Sequence, residues 1–216
     1  MSSLCVIKNR IEQHEEIQMS KIAIITDSDA SLPFDIASKY NIPQVPITVH
    51  FDEEVYETNV DIDDTKLFEL IDKKGKLPTT SAPSPGKFAE AYQAALDQGA
   101  DTIICFCVSS EISATYSAAL NAASLFEDKD ITVVDTLNLT MGQGYITLLA
   151  AEAAQEGKSK EEILEIAEDI RDRAHMFGAL STLRYLAMSG RVGHLAAGMA
   201  GVLQVKPILT IQGGKL

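Results

Sequence analysis

Apolar residues fall in short continuous runs, and amphipathic stretches separate one run from the next. The first run, Lys21-Ile22-Ala23-Ile24-Ile25, is closed by Thr26-Asp27-Ser28-Asp29. A run this short, bounded by turn residues, predicts a buried strand. Ser31-Leu32-Pro33 then opens a helix to Tyr40, with the proline in the first turn, where its missing N–H removes no intrahelical bond. Asn41 and Pro43 stop that helix, and residues 45–51 predict another strand. Asp63 can cap a helix to Lys74, because Leu67, Leu70 and Ile71 share a face and Gly75 follows. A further helix starts at Ser84-Pro85 and runs to Asp97, with Phe88, Tyr92 and Leu96 at four-residue spacing. Residues 102–108 are rich in continuous apolar residues, the pattern of a parallel strand covered on both faces. An Ala-rich helix over 112–126, a strand over 131–134 and a helix over 140–155 follow. Ser159 with Glu162 has capping-box spacing and opens a charged helix to His175.

This alternation predicts an α/β fold with a mostly parallel sheet covered by helices. After Phe177 small residues dominate (Ala196, Ala197, Gly198, Ala200, Gly201), then comes a strand-like stretch over 207–211 and a hairpin start at Gly213-Gly214-Lys215-Leu216. A compact domain of only about 40 residues is marginal. The expectation is therefore the start of a second α/β lobe that lacks its C-terminal portion. Three segments result: an N-terminal extension over 1–20, read as disordered; an α/β lobe over 21–157; and a connecting helix with an incomplete second lobe over 158–216.

Hydrophobic residues at 46% and charged residues at 23% fit a globular chain and exclude wholesale disorder. The 31 acidic against 18 basic residues give a net charge of −13, which argues against a nucleic-acid partner. The balance is uneven. Residues 176–216 hold Arg184, Arg191, Lys206 and Lys215 and no acidic side chain. Such a stretch marks a surface for an anionic ligand or partner, or else a buried segment leaning on acidic neighbours. No apolar run reaches the roughly 18 residues of a membrane span. The polar start, with Glu12, Glu15 and Glu16, is unlike a signal peptide. Cys5, Cys105 and Cys107 offer no disulfide framework, so a reducing, cytoplasmic location is expected.

Ligands of open α/β sheets bind beyond the carboxyl ends of the strands. Predicted strand ends here carry Asp27-Ser28, Ser109-Ser110 and Asp135-Thr136. Two polar loops lead into helices: Thr79-Thr80-Ser81-Ala82-Pro83-Ser84 and Ser109-Ser110-Glu111-Ile112-Ser113-Ala114-Thr115. Their hydroxyls, beside free helix-terminal N–H groups, can hold a carboxylate or phosphate; the plain alternative is that they only cap helices. A P-loop and a G-x-S-x-G elbow are absent, and Gly142-Gln143-Gly144 lacks the third glycine of a dinucleotide fingerprint, so it reads as helix packing. His14, His50, His175 and His194 lack metal spacing, and Cys105 and Cys107 read as core thiols on one side of a strand. Asp27 and Asp135 are candidates for a carboxylate pair or metal site, or for Asx turns.

Taken together, several segments resemble the DegV family of bacterial fatty-acid-binding proteins. They are Ile24-Ile25-Thr26-Asp27-Ser28 with Ser31-Leu32-Pro33; the Thr79–Ser84 loop, matching T-[TS]-x-P-S; and Ser109 through Tyr116, matching S-S-x-x-S-G-T-Y. Val133-Val134-Asp135-Thr136, Leu183-Arg184-Tyr185-Leu186 with Ser189-Gly190-Arg191-Val192, and Lys206-Pro207-Ile208-Leu209 follow in order. The resemblance implies two α/β lobes with an acyl chain buried between them. It implies that Thr80, with Ser81 adjacent, and Ser113 hold the fatty-acid carboxylate, with Asp27, Ser28, Ser109, Ser110 and Asp135 as pocket or loop support. It implies a separate ATP-dependent kinase that makes an acyl phosphate, with Arg191 as a partner contact, and no cofactor. Ala114 and Ser189 stand where the family pattern has glycine, and residues 1–18 have no counterpart. Two other readings stand beside this one. One is a small-molecule phosphotransferase or other enzyme using Asp27 and Asp135; the other is a regulatory module in which the charge asymmetry serves assembly.

Overall fold

A computed structural model of the chain describes residues 20–191 and 206–216. The readings for Cys5, His14, His194, the extension before Ser20 and the small-residue run at 196–201 lie outside these residues. Strands β1 (Ile22–Asp27), β2 (Gln44–Val45), β6 (Thr102–Cys107) and β7 (Asp130–Asp135) build the central sheet. Their order is β2-β1-β6-β7, and all four are parallel. Helices α1 (Phe34–Lys39), α3 (Pro85–Asp97), α4 (Thr115–Ala123), α5 (Thr140–Gln155) and α6 (Lys160–Arg173) cover it.

The period-two alternation of strands divides the core. Ile24, Ile104 and Phe106 pack with Ala37, Ile146, Ala150, Ile163, Ala167 and Ile170, joining α1, α5 and α6 to one face. Ile25, Ile103, Cys105 and Cys107 pack with Phe88, Tyr92, Ala118, Ala119 and Ala122, joining α3 and α4 to the other. All six side chains of β6 are buried, which explains its unbroken apolar run. The two thiols lie 3.8 Å apart inside the second cluster. They fill core volume, as their spacing implied.

Three caps fall where the sequence placed them, whereas Pro33, expected in the first turn of α1, stands just before it at the N-cap. Asp63 accepts from the Lys66 N–H at 2.8 Å to start α2 (Asp64–Lys74), and Gly75 ends it at φ +64°. Ser84 accepts from the Lys87 N–H, and the Ser159–Glu162 capping box is complete. Gly144 lets α5 close on the 3₁₀ turn Ser28–Ala30, since a Cβ there would lie 2.4 Å from the Ala30 carbonyl oxygen.

The strand expected over 45–51 is two strands. Pro46 has no N–H to give to a ladder, and the chain leaves the parallel sheet at that point. Strand β3 (Thr48–Phe51), with Val49 and Phe51 buried, begins an antiparallel sheet. Strand β4 (Glu54–Glu57) returns across Asp52-Glu53, with Asp52 at φ +55°, as a tight hairpin requires. The stretch expected as a polar loop supplies β5 (Thr79–Ser81), with Thr80 opposite Val49. The order of this second sheet is β4-β3-β5. The helix expected over 112–126 is confined to Thr115–Ala123, because the N–H groups of Ile112 and Ser113 both turn back to the Ser109 carbonyl. Near the end, β8 (Phe177–Ala179) pairs antiparallel with β9 (Ile208–Thr210), and α7 (Arg184–Met188) lies between them in sequence. Gln212 and Lys215 bridge across the Gly213-Gly214 turn. Among the described residues no helix is long and apolar enough to cross a membrane.

Candidate functional site

Parallel strands deliver their carboxyl ends to one edge of the sheet. At the end of β1, Asp27 is fully buried. Its carboxylate accepts from the N–H groups of Asp29 and Val108, each at 2.9 Å. Burial, and then the nearby Asp29 charge, push its carboxyl up to about 7 against those bonds and a contact with Gln143. The Ser28 hydroxyl is 2.7 Å from that of Thr58 and accepts from the Ile47 N–H at 3.0 Å, tying β1 to the antiparallel sheet.

Asp135 closes β7 and accepts from the N–H groups of Ser110 (3.3 Å) and Leu137 (2.9 Å). Strand β6 separates Asp27 from Asp135, which places their strands about 10 Å apart at ordinary sheet spacing. Both carboxylates are engaged in Asx-type turns, and the geometry does not bring them together as a pair. Among the described residues no three His, Cys, Asp or Glu side chains gather as a metal-binding group. Leu137 and Thr140 adopt φ +50° and +48°, conformations rare for such residues and held by their surroundings.

The hydroxyls expected to meet an anion occupy two separate elements. Thr80 is exposed at the centre of β5, and its Oγ1 accepts from Arg191 Nη2 at 3.4 Å. Ser81 Oγ lies 2.9 Å from His50 Nε2 on β3. Ser113, half-buried, lies 2.8 Å from the Thr115 hydroxyl and accepts from the Thr115 N–H at 3.3 Å. The capping alternative thus describes Ser84 fully and Ser113 in part, but not Thr79–Ser81, which lie in a ladder. Among the described residues no hydrogen bond joins Thr80 to Ser113. Ala114 sits at φ −76°, so its methyl group needs no left-handed backbone and leaves the turn unstrained.

Arg191 is held by its own turn. Ser189 Oγ donates to the Leu186 carbonyl at 2.7 Å and accepts from the Arg191 N–H, while Gly190 takes φ +73°. The Ser189 hydroxyl therefore shapes the turn that presents the guanidinium. Half-buried Asp29 shares this corner: burial pushes its carboxyl up, and the Arg191 charge pulls it back down. The sequence reading did not single out Asp29, Thr58 or Gly214. The density of carboxylates in Asp27-Ser28-Asp29 was the one local signal for the first, whereas the other two act through contacts distant in sequence.

A sequence model of the DegV family, described as uncharacterised proteins, matches residues 21–216. A DegV domain-containing protein of Caldanaerobacter subterraneus is 36% identical over 198 residues, covering 92% of this chain and 70% of that protein. Solved structures superpose closely. A structure from Thermus thermophilus, titled for fatty acid binding of a DegV family protein, has a TM-score of 0.81 at 34% identity, covering 90% of this chain and 69% of the other. DegV of Bacillus subtilis, titled a fatty acid binding protein, gives 0.80 at 31% identity over 91% and 70%. A stearic acid-binding protein of Eubacterium ventriosum gives 0.82 at 30% identity over 91% and 68%. The helix-flanked parallel sheet is the one these proteins share, and the chain belongs to the DegV family.

Proposed function

We propose that this chain binds a long-chain fatty acid and holds its carboxylate with the hydroxyls of Thr80 and Ser113, Ser81 standing beside them. The fatty acid is the ligand, with no cofactor. The acyl chain lies between two α/β lobes, one over 21–157 and one that draws on 158–216. The reading is supported most directly by Arg191 reaching the exposed Thr80 hydroxyl in a chain whose solved relatives are titled as fatty acid binders. A carboxylate withdrawn from water needs donors to offset its lost hydration. The Thr80 hydroxyl beside the Arg191 guanidinium, together with the Ser113 hydroxyl, supplies them, while an acyl tail gains about 0.8 kcal/mol per buried CH₂. Asp27, Ser28, Ser109, Ser110 and Asp135 act as support, since each is bonded to backbone or to another loop.

The chain is a cytoplasmic lipid-binding subunit and does no chemistry alone. A separate kinase supplies ATP; a carboxylate oxygen attacks the γ-phosphorus, the bond to ADP breaks, and an acyl phosphate forms. Arg191 is exposed, and its planar fork suits phosphate oxygens, which fits it to the developing acyl phosphate or to the kinase. Thr80→Val and Ser113→Ala test the carboxylate site. Each removes a hydrogen bond to a charged group worth about 1.5–3 kcal/mol, so lipid retention falls at least tenfold in each. Unchanged retention in both variants removes these hydroxyls from the site.

A further inference from the structure

One contact pins the C-terminal segment to the central sheet and needs no ligand to explain it. Ser109, fully buried beyond β6, donates its hydroxyl proton to the Gly214 carbonyl at 2.7 Å and accepts from the Glu111 N–H at 3.3 Å. A hydroxyl has a single proton, so this bond leaves Ser109 none to give to an anion. Gly214 is buried at φ +82°. A Cβ there would lie 2.6 Å from Ser109 Oγ, 3.1 Å from Leu137 Cδ2 and 3.3 Å from Glu111 Cγ. The notch formed by Ser109, Glu111 and Leu137 thus admits backbone and no side chain. At its rim Lys215 pairs with Glu111 at 3.2 Å.

We infer that Ser109 forms with Gly214 a clasp that fixes segment 206–216 across the ends of β6 and β7. The clasp also anchors the start of the 109–115 loop, from which Ser113 projects. This holds whether or not the ligand is a fatty acid, so its test uses none. Hydrogen exchange is measured on the full chain, on Ser109→Ala, on Gly214→Ala and on the double variant. The reporters are the Gln212 and Lys215 amides, which bond each other's carbonyls across the turn at 2.9 and 3.2 Å.

Loss of one buried hydrogen bond speeds local opening about tenfold. Ser109→Ala therefore accelerates these two amides about tenfold while amides of β1 and β6 keep their rates, and Gly214→Ala accelerates the same two more. The double variant exchanges no faster than Gly214→Ala alone, because both changes break one contact. Unchanged rates at Gln212 and Lys215 in Ser109→Ala, equal acceleration through β1 and β6, or additive effects in the double variant would each overturn the clasp. Should Gly214→Ala fail to fold, the first two criteria on Ser109→Ala decide.

Discussion

Replacing Asp27 by asparagine probes a carboxyl that the fold buries at the edge of the candidate site. The folded carboxyl is pushed from 3.8 to about 7, chiefly by burial and then by Asp29. Between those two values the folded state binds more protons than the unfolded chain, so this group makes stability fall as pH rises and leaves it flat above about 7. The full change is roughly 4 kcal/mol, at about 1.4 kcal/mol for each pH unit. The carboxamide of Asp27→Asn does not titrate, but its nitrogen faces one of the two backbone N–H groups that Asp27 now satisfies. That mismatch costs about 1–3 kcal/mol at every pH.

Urea unfolding followed by circular dichroism, from about pH 4 to about pH 8, compares the two proteins, and all other titrating groups largely cancel in the difference. Asp27→Asn is the less stable protein at the acid end and draws level with or passes the wild type at the alkaline end. A difference that does not vary with pH would refute the reasoning. So would a wild type that gains on the variant as pH rises. Either result would mean that the N–H bonds from Asp29 and Val108 outweigh burial and keep the carboxylate charged.

Two glycines give opposite outcomes in thermal unfolding. Gly144→Ala forces a methyl group to within 2.4 Å of the Ala30 carbonyl oxygen and lowers stability by about 1–3 kcal/mol. Gly86→Ala, in the first turn of α3, meets only Ser84 Oγ at 3.6 Å and raises stability by up to about 1 kcal/mol. Ser159→Ala dismantles the capping box of α6, whose two bonds measure 2.8 and 3.2 Å, and lowers stability by about 1 kcal/mol; urea denaturation measures the loss.

Helices were legible where a cap and a one-sided apolar stripe coincide, as at Asp63 with Gly75, at Ser84-Pro85 and at Ser159 with Glu162. Strand β6 was legible because both its faces are covered. The antiparallel sheet escaped because β4 (Glu-Val-Tyr-Glu) and β5 (Thr-Thr-Ser) carry too little apolar alternation to announce themselves. They are strands by virtue of β3 between them, a pairing set by tertiary context. The gathering of parallel strand ends at one edge followed from topology alone, so Asp27, Ser109 and Asp135 were expected there and lie there. Their particular duties were not legible. A bond from Ser109 to Gly214, or the proximity of Arg191 to Thr80 and Asp29, joins residues 80 or more positions apart in the chain, and no local pattern encodes it.

The proposed function rests on one molecule being present. Mass spectrometry of an organic extract from the purified, unfolded protein tests it most directly. A long-chain fatty acid in amounts matching the protein is the predicted result, and it names the preferred chain length at once. An empty extract, from protein that also fails to take up added fatty acid, would contradict lipid binding by this chain.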